Sequence, residues 1–479
     1  MRQKQWRISR KWLVFFAVGL GTFVSVVDNG SINLALPSIS SHFKTNLSAV
    51  QWVTLGQALA ISVFLLPAGH IADKYGRKEI YVAGLIIFAI GAGLAGFATD
   101  LRMVIGFRIV SAVGSAMIIA NGMAILTTVF PATERGKAVG SYMSIIGTGS
   151  ICGPLLGGAI VNIWGWRGVF FLNPILGFFA IAAAVLVLDR QQLAAKINSH
   201  KTANFDWAGA ILSATTLLVF LLTITNGNRL GWSSSLIITG FIVTTGSLGL
   251  FLRREATAES PMLDLSLFRN RIFSLGLLAG FIAFLNASSN WLLLPFYLQK
   301  VLDITPLKGG FVMVSWAVCF AFMGSVAGRL SDLFGWRPFN IGGAILMIAG
   351  VATISQITES SSLTLVVSGL ILLGLGNGIF HTTNHSSILG SIEPSRYGIA
   401  SAFINLNRQT ASTTGLAMAM AIVVGTMGSM GVEPNLDLIS EETAKAGHAF
   451  TVGLRHVYTL ASGLMVTVLA ISILKGGGR

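Results

Sequence analysis

Apolar runs of about 18 to 25 residues recur along nearly the whole chain, each closed by a short polar break. A run of that length matches the roughly 20 residues that a helix needs to cross a bilayer. In hydrocarbon the backbone must satisfy its own hydrogen bonds, which leaves helices or a closed barrel, and the runs lack the period-2 alternation of barrel strands. Composition agrees: 53% of the 479 residues are hydrophobic and 10% are charged, where a soluble domain carries about a quarter charged residues, and mean hydropathy is +0.75. The pattern predicts an all-α integral membrane protein of fourteen spans, the first near 13–36 and the last near 457–474.

A formal charge of +14 would suggest an acidic partner for a soluble protein, but here its placement is topological. The N-terminal segment, every second loop after it and the C-terminal tail hold 22 of the 32 basic residues, and the alternate loops hold 8. Lys and Arg are retained on the cytoplasmic side, so a multi-pass protein of the cell membrane with both termini cytoplasmic is expected, with no nucleic-acid partner. The basic, apolar start has no small-residue cleavage site after it and reads as a retained first helix. Cys152 and Cys319 lie inside apolar runs and read as packing residues.

The chain also repeats itself. Gly69-His70-Ile71-Ala72-Asp73-Lys74-Tyr75-Gly76-Arg77-Lys78, after span 2, recurs as Gly328-Arg329-Leu330-Ser331-Asp332-Leu333-Phe334-Gly335-Trp336-Arg337, after span 10. A second echo, Pro131 to Gly136 and Pro394 to Gly398, precedes spans 5 and 13. Two six-helix bundles on 12–190 and 271–475 follow, with two inserted helices and their linkers on 191–270. Such pseudo-symmetric halves enclose a central site in many secondary transporters.

The Gly69–Lys78 segment resembles the signature loop of the major facilitator superfamily. Its glycines permit a tight turn, with Asp73 placed to meet a helix N-terminus and Arg77 to meet carboxylates. Gly69, Asp73, Gly76 and Arg77, with Gly328, Asp332, Gly335 and Arg337, are therefore candidate conformational-switch residues. In span 5, Gly149, Gly153, Pro154, Gly157 and Gly158 resemble the antiporter signature of exporting members: proline kinks the helix and glycines four apart leave one face smooth. Further stretches are similar to the 14-helix drug:proton antiporter branch: Asp28 to Pro37, Trp166-Arg167 with Phe170 to Pro174, Phe205 to Trp207, Leu263 to Phe268, and Asn405 to Gln409. The resemblance departs in span 4, where the family often has Gln and Gly at the third and fourth positions after its Arg; Arg108 is followed there by Ser111 and Ala112, with Gly114 retained.

Asp28 is the only carboxylate well inside a span, and an ionised acid in hydrocarbon costs at least about 2.5 kcal/mol. It therefore needs a partner, a proton or water. Arg108 is the expected partner, since both residues fall in the outer half, Asp28 roughly 13 Å from Pro37 along its helix. Desolvation favours the protonated acid and a nearby arginine the ionised one, so a rearrangement that alters either could bind and release a proton near neutrality. Asn377, His381, Asn384 and His385 share a face of span 12, and Asn405, Arg408 and Gln409 a face of span 13; with Asn33, Asn286, Asn290 and Trp291 they are candidate lining of a substrate cavity. His381 or His385 is a second candidate proton site.

No span or loop carries a metal-ligand pattern, a phosphate-cradling glycine motif or a Ser/His/Asp constellation, so neither an enzyme nor an ATP-driven pump is expected. The resemblance implies a monomeric exporter with no cofactor, driven by the proton gradient and carrying lipophilic small molecules. One intramembrane acid favours monovalent cationic or neutral substrates; export of an anionic amphiphile or endogenous lipid through Arg408, and nutrient import by proton symport, are the alternatives. The segment 428–456, with Glu433, Asp437, Glu441 and Glu442, is expected as a solvated outer flap.

Overall fold

The structure, a computed structural model, describes residues 2–130, 135–189, 206–257, 265–393, 397–433 and 441–476. Pro131, Pro394, Leu263, Asp264 and Asp437 lie outside the described residues, as do the side chains of Asp73, Asp332, Glu441 and Glu442. Among the described residues there is no strand. Fourteen long helices follow one another: α1 (Arg2–Phe43), α2 (Trp52–Tyr75), α3 (Arg77–Gly96), α4 (Leu101–Val129), α5 (Arg135–Trp164), α6 (Trp166–Val187), α7 (Trp207–Leu230) and α8 (Ser235–Thr257). Then come α9 (Arg271–Phe296), α10 (Pro306–Phe334), α11 (Trp336–Ile354), α12 (Leu363–Gly390), α13 (Tyr397–Ser429) and α14 (Glu441–Leu474). Thirteen of them are long and apolar enough to cross a membrane over their described residues, and α2 has the shorter apolar stretch Trp52–Leu65. The helices start where the loops supply acceptors for orphan amides: Asp100, Asp206, Asn270 and Ser362 each cap the helix that follows.

Packing repeats between the halves. In the first, α1 lies against α5 and α6, α2 against α4, and α3 against α4 and α6. The second pairs α9 with α13 and α14, α10 with α12, and α11 with α12 and α14, which is the same set under the sequence repeat. The junctions are also related by it: α5 packs on α10 and α2 on α13. The inserted α7 touches α2 and α13 and carries α8 against itself.

The repeated loops show why their residues recur. Gly76 (φ 111°) and Gly335 (φ 80°) both adopt backbone that a Cβ disfavours, turning the chain between consecutive helices. Two residues on, Lys78 and Arg337 occupy equivalent places and do equivalent things. Lys78 Nζ donates to the Val185 carbonyl at 3.2 Å and to the Leu188 carbonyl at the end of α6, and Arg337 donates to the Ile473 carbonyl at 3.1 Å at the end of α14. A cation at a helix C-terminus satisfies orphan carbonyls and favours the dipole. The described partners of Arg77 include the Ala124 carbonyl and the Thr128 hydroxyl near the end of α4. Because no atom lies within 4 Å of a Cβ at Gly335, Gly335→Ala isolates backbone strain; it is expected to lower stability by about 1–3 kcal/mol, read as a lower thermal unfolding midpoint in detergent.

Two expectations about span ends are corrected. α1 continues through Pro37 to Phe43, so Asp28 lies about 22 Å from that end of the helix rather than near 13 Å. Residues 441–456, expected within a solvated flap, are helical and belong to α14, because Ala446, Ala449, Phe450, Leu454 and Val457 form one buried stripe at helical spacing.

Candidate functional site

The centre of the first half is a closed polar cluster. Arg108 on α4 donates through one guanidinium nitrogen to both Asp28 oxygens, at 2.9 and 2.8 Å, and both side chains have no exposed surface. Gln57 on α2 donates to Asp28 Oδ2 at 3.1 Å while its own Oε1 accepts from the second Arg108 terminal nitrogen. Asn173 on α6 donates to Asp28 Oδ1 at 2.6 Å. Phe170, one turn earlier on α6, places its ring 5.8 Å from the guanidinium carbon. Four helices thus converge on one carboxylate, with the buried charge paired and hydrogen-bonded as low dielectric demands. Arg108 Nε and Asn173 Oδ1 remain buried without a partner.

Gln57 and Asn173 were absent from the sequence-derived candidates. Gln57 was detectable as an amide inside an otherwise apolar span, and Asn173 lies within the Phe170 to Pro174 stretch already noted. At the departure in span 4, where α4 has Ser111 and Ala112, Arg108 meets an amide from α2, that of Gln57. Replacing Gln57 with Leu removes two hydrogen bonds to a buried ion pair, each worth about 1.5–3 kcal/mol when a charge is involved. Gln57→Leu is accordingly expected to lower stability by about 1.5 kcal/mol or more, read as a lower thermal unfolding midpoint in detergent.

Several described hydrogen bonds join the two six-helix halves towards the end away from the termini. Gln299 donates to the Leu34 carbonyl at 3.1 Å, Lys300 to Ser41, Gln409 to the Ala58 carbonyl at 3.3 Å, and Ser62 meets Thr413 at 3.4 Å. The glycines of α5 permit close approach both within the first half and across the junction. A Cβ at Gly149, Gly153 or Gly157 would stand 2.9, 2.9 or 2.5 Å from Val26 Cγ1, Gly30 Cα or Ser31 Cα of α1, and Ser31 donates to the Gly153 carbonyl at 2.8 Å. At Gly158 it would stand 2.6 Å from the Pro306 carbonyl oxygen of α10, across the junction, and a Cβ at Gly310 would meet the Pro154 carbonyl at 2.6 Å. The motif is a contact surface on two sides. Gly69 and Gly328 have ordinary room, their nearest neighbours being Ala120 and Thr382.

The remaining cavity candidates differ in how far their polar atoms are satisfied. Asn377 donates to the Leu373 carbonyl of its own helix, and Asn384 donates to the Gly276 carbonyl while accepting from Lys475, whose ammonium also reaches Ser387 and the face of Trp336. Asn290 accepts from the Tyr458 hydroxyl at 2.7 Å while its Nδ2 is buried without a partner, and Trp291 packs edge-on against Trp316. Asn33 donates to the Asn29 carbonyl, leaving Oδ1 unpartnered; the Asn286 side-chain oxygen is also unpartnered. Asn405, Arg408 and Gln409 are partly buried on α13. His381, 5% exposed, stacks on Phe284 with ring centroids 3.9 Å apart, and neither of its nitrogens has a partner.

The chain is similar to known proteins. The family model described as Major Facilitator Superfamily matches residues 18–416. The chain is 31% identical to "Riboflavin transporter RibZ" of Clostridioides difficile, over 86% of this chain and 88% of that one. It is 28% identical to "Multidrug resistance protein Stp" of Mycobacterium tuberculosis, over 89% and 78%. Among solved structures, a bacterial homolog to the human lysosomal transporter Spinster, in an inward-facing and unoccupied conformation, is similar over 97% of both chains with a TM-score of 0.65 at 20% identity. With two repeated six-helix halves meeting along α5–α10 and α2–α13, and with the family model spanning most of its length, the chain belongs to the Major Facilitator Superfamily, whose members are transporters and not enzymes.

Proposed function

We propose that the chain exports lipophilic small molecules across the cytoplasmic membrane by alternating access, exchanging each for protons moving inward. The observation that carries this reading is the Asp28 cluster: the one carboxylate well inside a span is paired with Arg108 and sealed by Gln57 and Asn173 when the end away from the termini is closed. With both termini cytoplasmic, as the basic residues imply, that closed end faces outward and the interior opens towards the cytoplasm. Parting α5 from α10 and α2 from α13 would open the outer side. Water reaching Asp28 there lets a proton compete with Arg108, and reclosure returns it to the cytoplasm. The proton gradient, rather than ATP, is the source of energy, and one chain contains both halves of the device.

The cationic substrates expected from a lone acid lose that acid as a binding partner in this state, because both carboxylate oxygens are already engaged. The relative named as a riboflavin transporter supports a rival reading, import of a planar neutral nutrient. Purified protein in liposomes under an imposed pH gradient separates the two. Export coupling predicts protons and a neutral lipophile such as acridone moving in opposite directions; movement in the same direction makes the chain a symporter, and flux indifferent to the gradient removes proton coupling.

A further inference from the structure

Charge in the second half is distributed quite differently from charge around Asp28. Arg408 is partly buried on α13 and has no hydrogen bond or ion pair among the described residues. Its guanidinium lies within electrostatic reach of His381 and His385 on α12 and of Tyr142 on α5. The two imidazoles stand 6.3 Å apart, and Tyr142 meets Thr22 of α1 at 2.9 Å. Helices of both halves therefore border this group, as a substrate site between rocking halves requires. Counted along their helices, Tyr142, His381 and Arg408 lie roughly 10, 14 and 16 Å from the ends nearest the termini.

Two features of the group are unsatisfied. A buried imidazole with neither nitrogen bonded forfeits hydrogen bonds that water would give it, and an arginine inside a membrane protein without a counter-charge forfeits more. Among the described residues no carboxylate is bonded to either, since Asp28 is committed to Arg108, Gln57 and Asn173, and Lys475 beyond His385 is bound to Asn384 and Ser387. A ligand bearing acceptor oxygens and negative charge would complete both. Beside it, the stacked Phe284 and His381 rings offer an aromatic wall.

We infer that Arg408, His381 and His385 form a subsite for the carboxylate of an aromatic organic anion, whose ring system lies beside Phe284. The inference rests on the export reading for what the site is used for, and on this geometry for what it binds. It assigns the charged substrates to the second half and the proton to the first, so that the two ligands are held by different residues.

The test is equilibrium binding to the full chain in lipid nanodiscs, without a pH gradient, of anthracene-9-carboxylate and of the amine of the same ring system, (anthracen-9-yl)methylammonium. The carboxylate is expected to bind about tenfold or more tightly than the ammonium, as a charge-assisted contact to Arg408 would provide. Arg408→Gln should abolish that preference and Arg408→Lys should keep part of it, with His381→Gln weakening the carboxylate alone. Equal binding of the two probes to the unmodified chain overturns the subsite, as does a preference untouched in Arg408→Gln protein whose thermal unfolding is unchanged. Displacement of the carboxylate by chloride as readily as by benzoate would make it an inorganic-anion site and also overturn it. Because no gradient is imposed, loss of the charge preference leaves proton coupling standing, and gradient-independent flux in liposomes leaves the binding preference standing.

Discussion

Asp28→Asn is expected to reduce substrate movement driven by a pH gradient to the level of protein-free liposomes, while exchange of substrate across the membrane without a gradient persists. The amide keeps an oxygen for Arg108 but cannot take up and release a proton, so coupling is lost and rocking is retained. Stability should fall as well, because Arg108 has no exposed surface and loses its counter-charge. Truncating one partner of a buried pair costs about 3–5 kcal/mol, and the retained acceptor makes this an upper bound. The doubly neutral variant Asp28→Asn with Arg108→Gln removes that penalty and separates folding from coupling. Gradient-driven flux at the unmodified rate in Asp28→Asn protein would place the proton elsewhere, with His381 and His385 the next residues to test.

The second large effect belongs to Gly158. In Gly158→Val, a Cβ would stand 2.6 Å from the Pro306 carbonyl oxygen and 3.2 Å from Leu307 Cα, both backbone atoms that no rotamer change can move. Only separation of α5 from α10 relieves the clash, and that separation opens the end away from the termini. Overpacking of about 1–3 kcal/mol would shift the balance between the two access states about 5- to 150-fold. A cysteine introduced at Gln299, at the Leu34 contact, reports the change through its labelling by a membrane-impermeant thiol reagent. Gly342→Val is the control, since nothing lies within 4 Å of a Cβ there. Equal labelling in the two variants would mean that the glycine face does not control closure.

Which parts of this site were legible in advance follows from what each residue depends on. Asp28 and Arg108 stood out because a charge inside an apolar run is costly wherever its helix points. Gln57 and Asn173 did not, because an amide can be satisfied by its own helix, as Asn377 is through Leu373, and only helix rotation and neighbour distance reveal which amide turns to the carboxylate. His381 and Asn384 share one helical face in sequence, yet Asn384 is fully bonded and His381 is not, since Gly276 and Lys475 approach one and not the other.

The chain by itself determined the helices, their approximate number and the internal repeat, because the bilayer selects for length and apolarity residue by residue along one dimension. It also determined the glycine stripe of α5, since small side chains are written directly in the sequence. Tertiary structure alone decided how far α1 and α14 extend, which two amides complete the Asp28 cluster, and which end of the bundle is closed. Those outcomes depend on distances between segments hundreds of residues apart, such as Gln299 to Leu34 and Gly158 to Pro306, where an ångström of approach separates contact from clash.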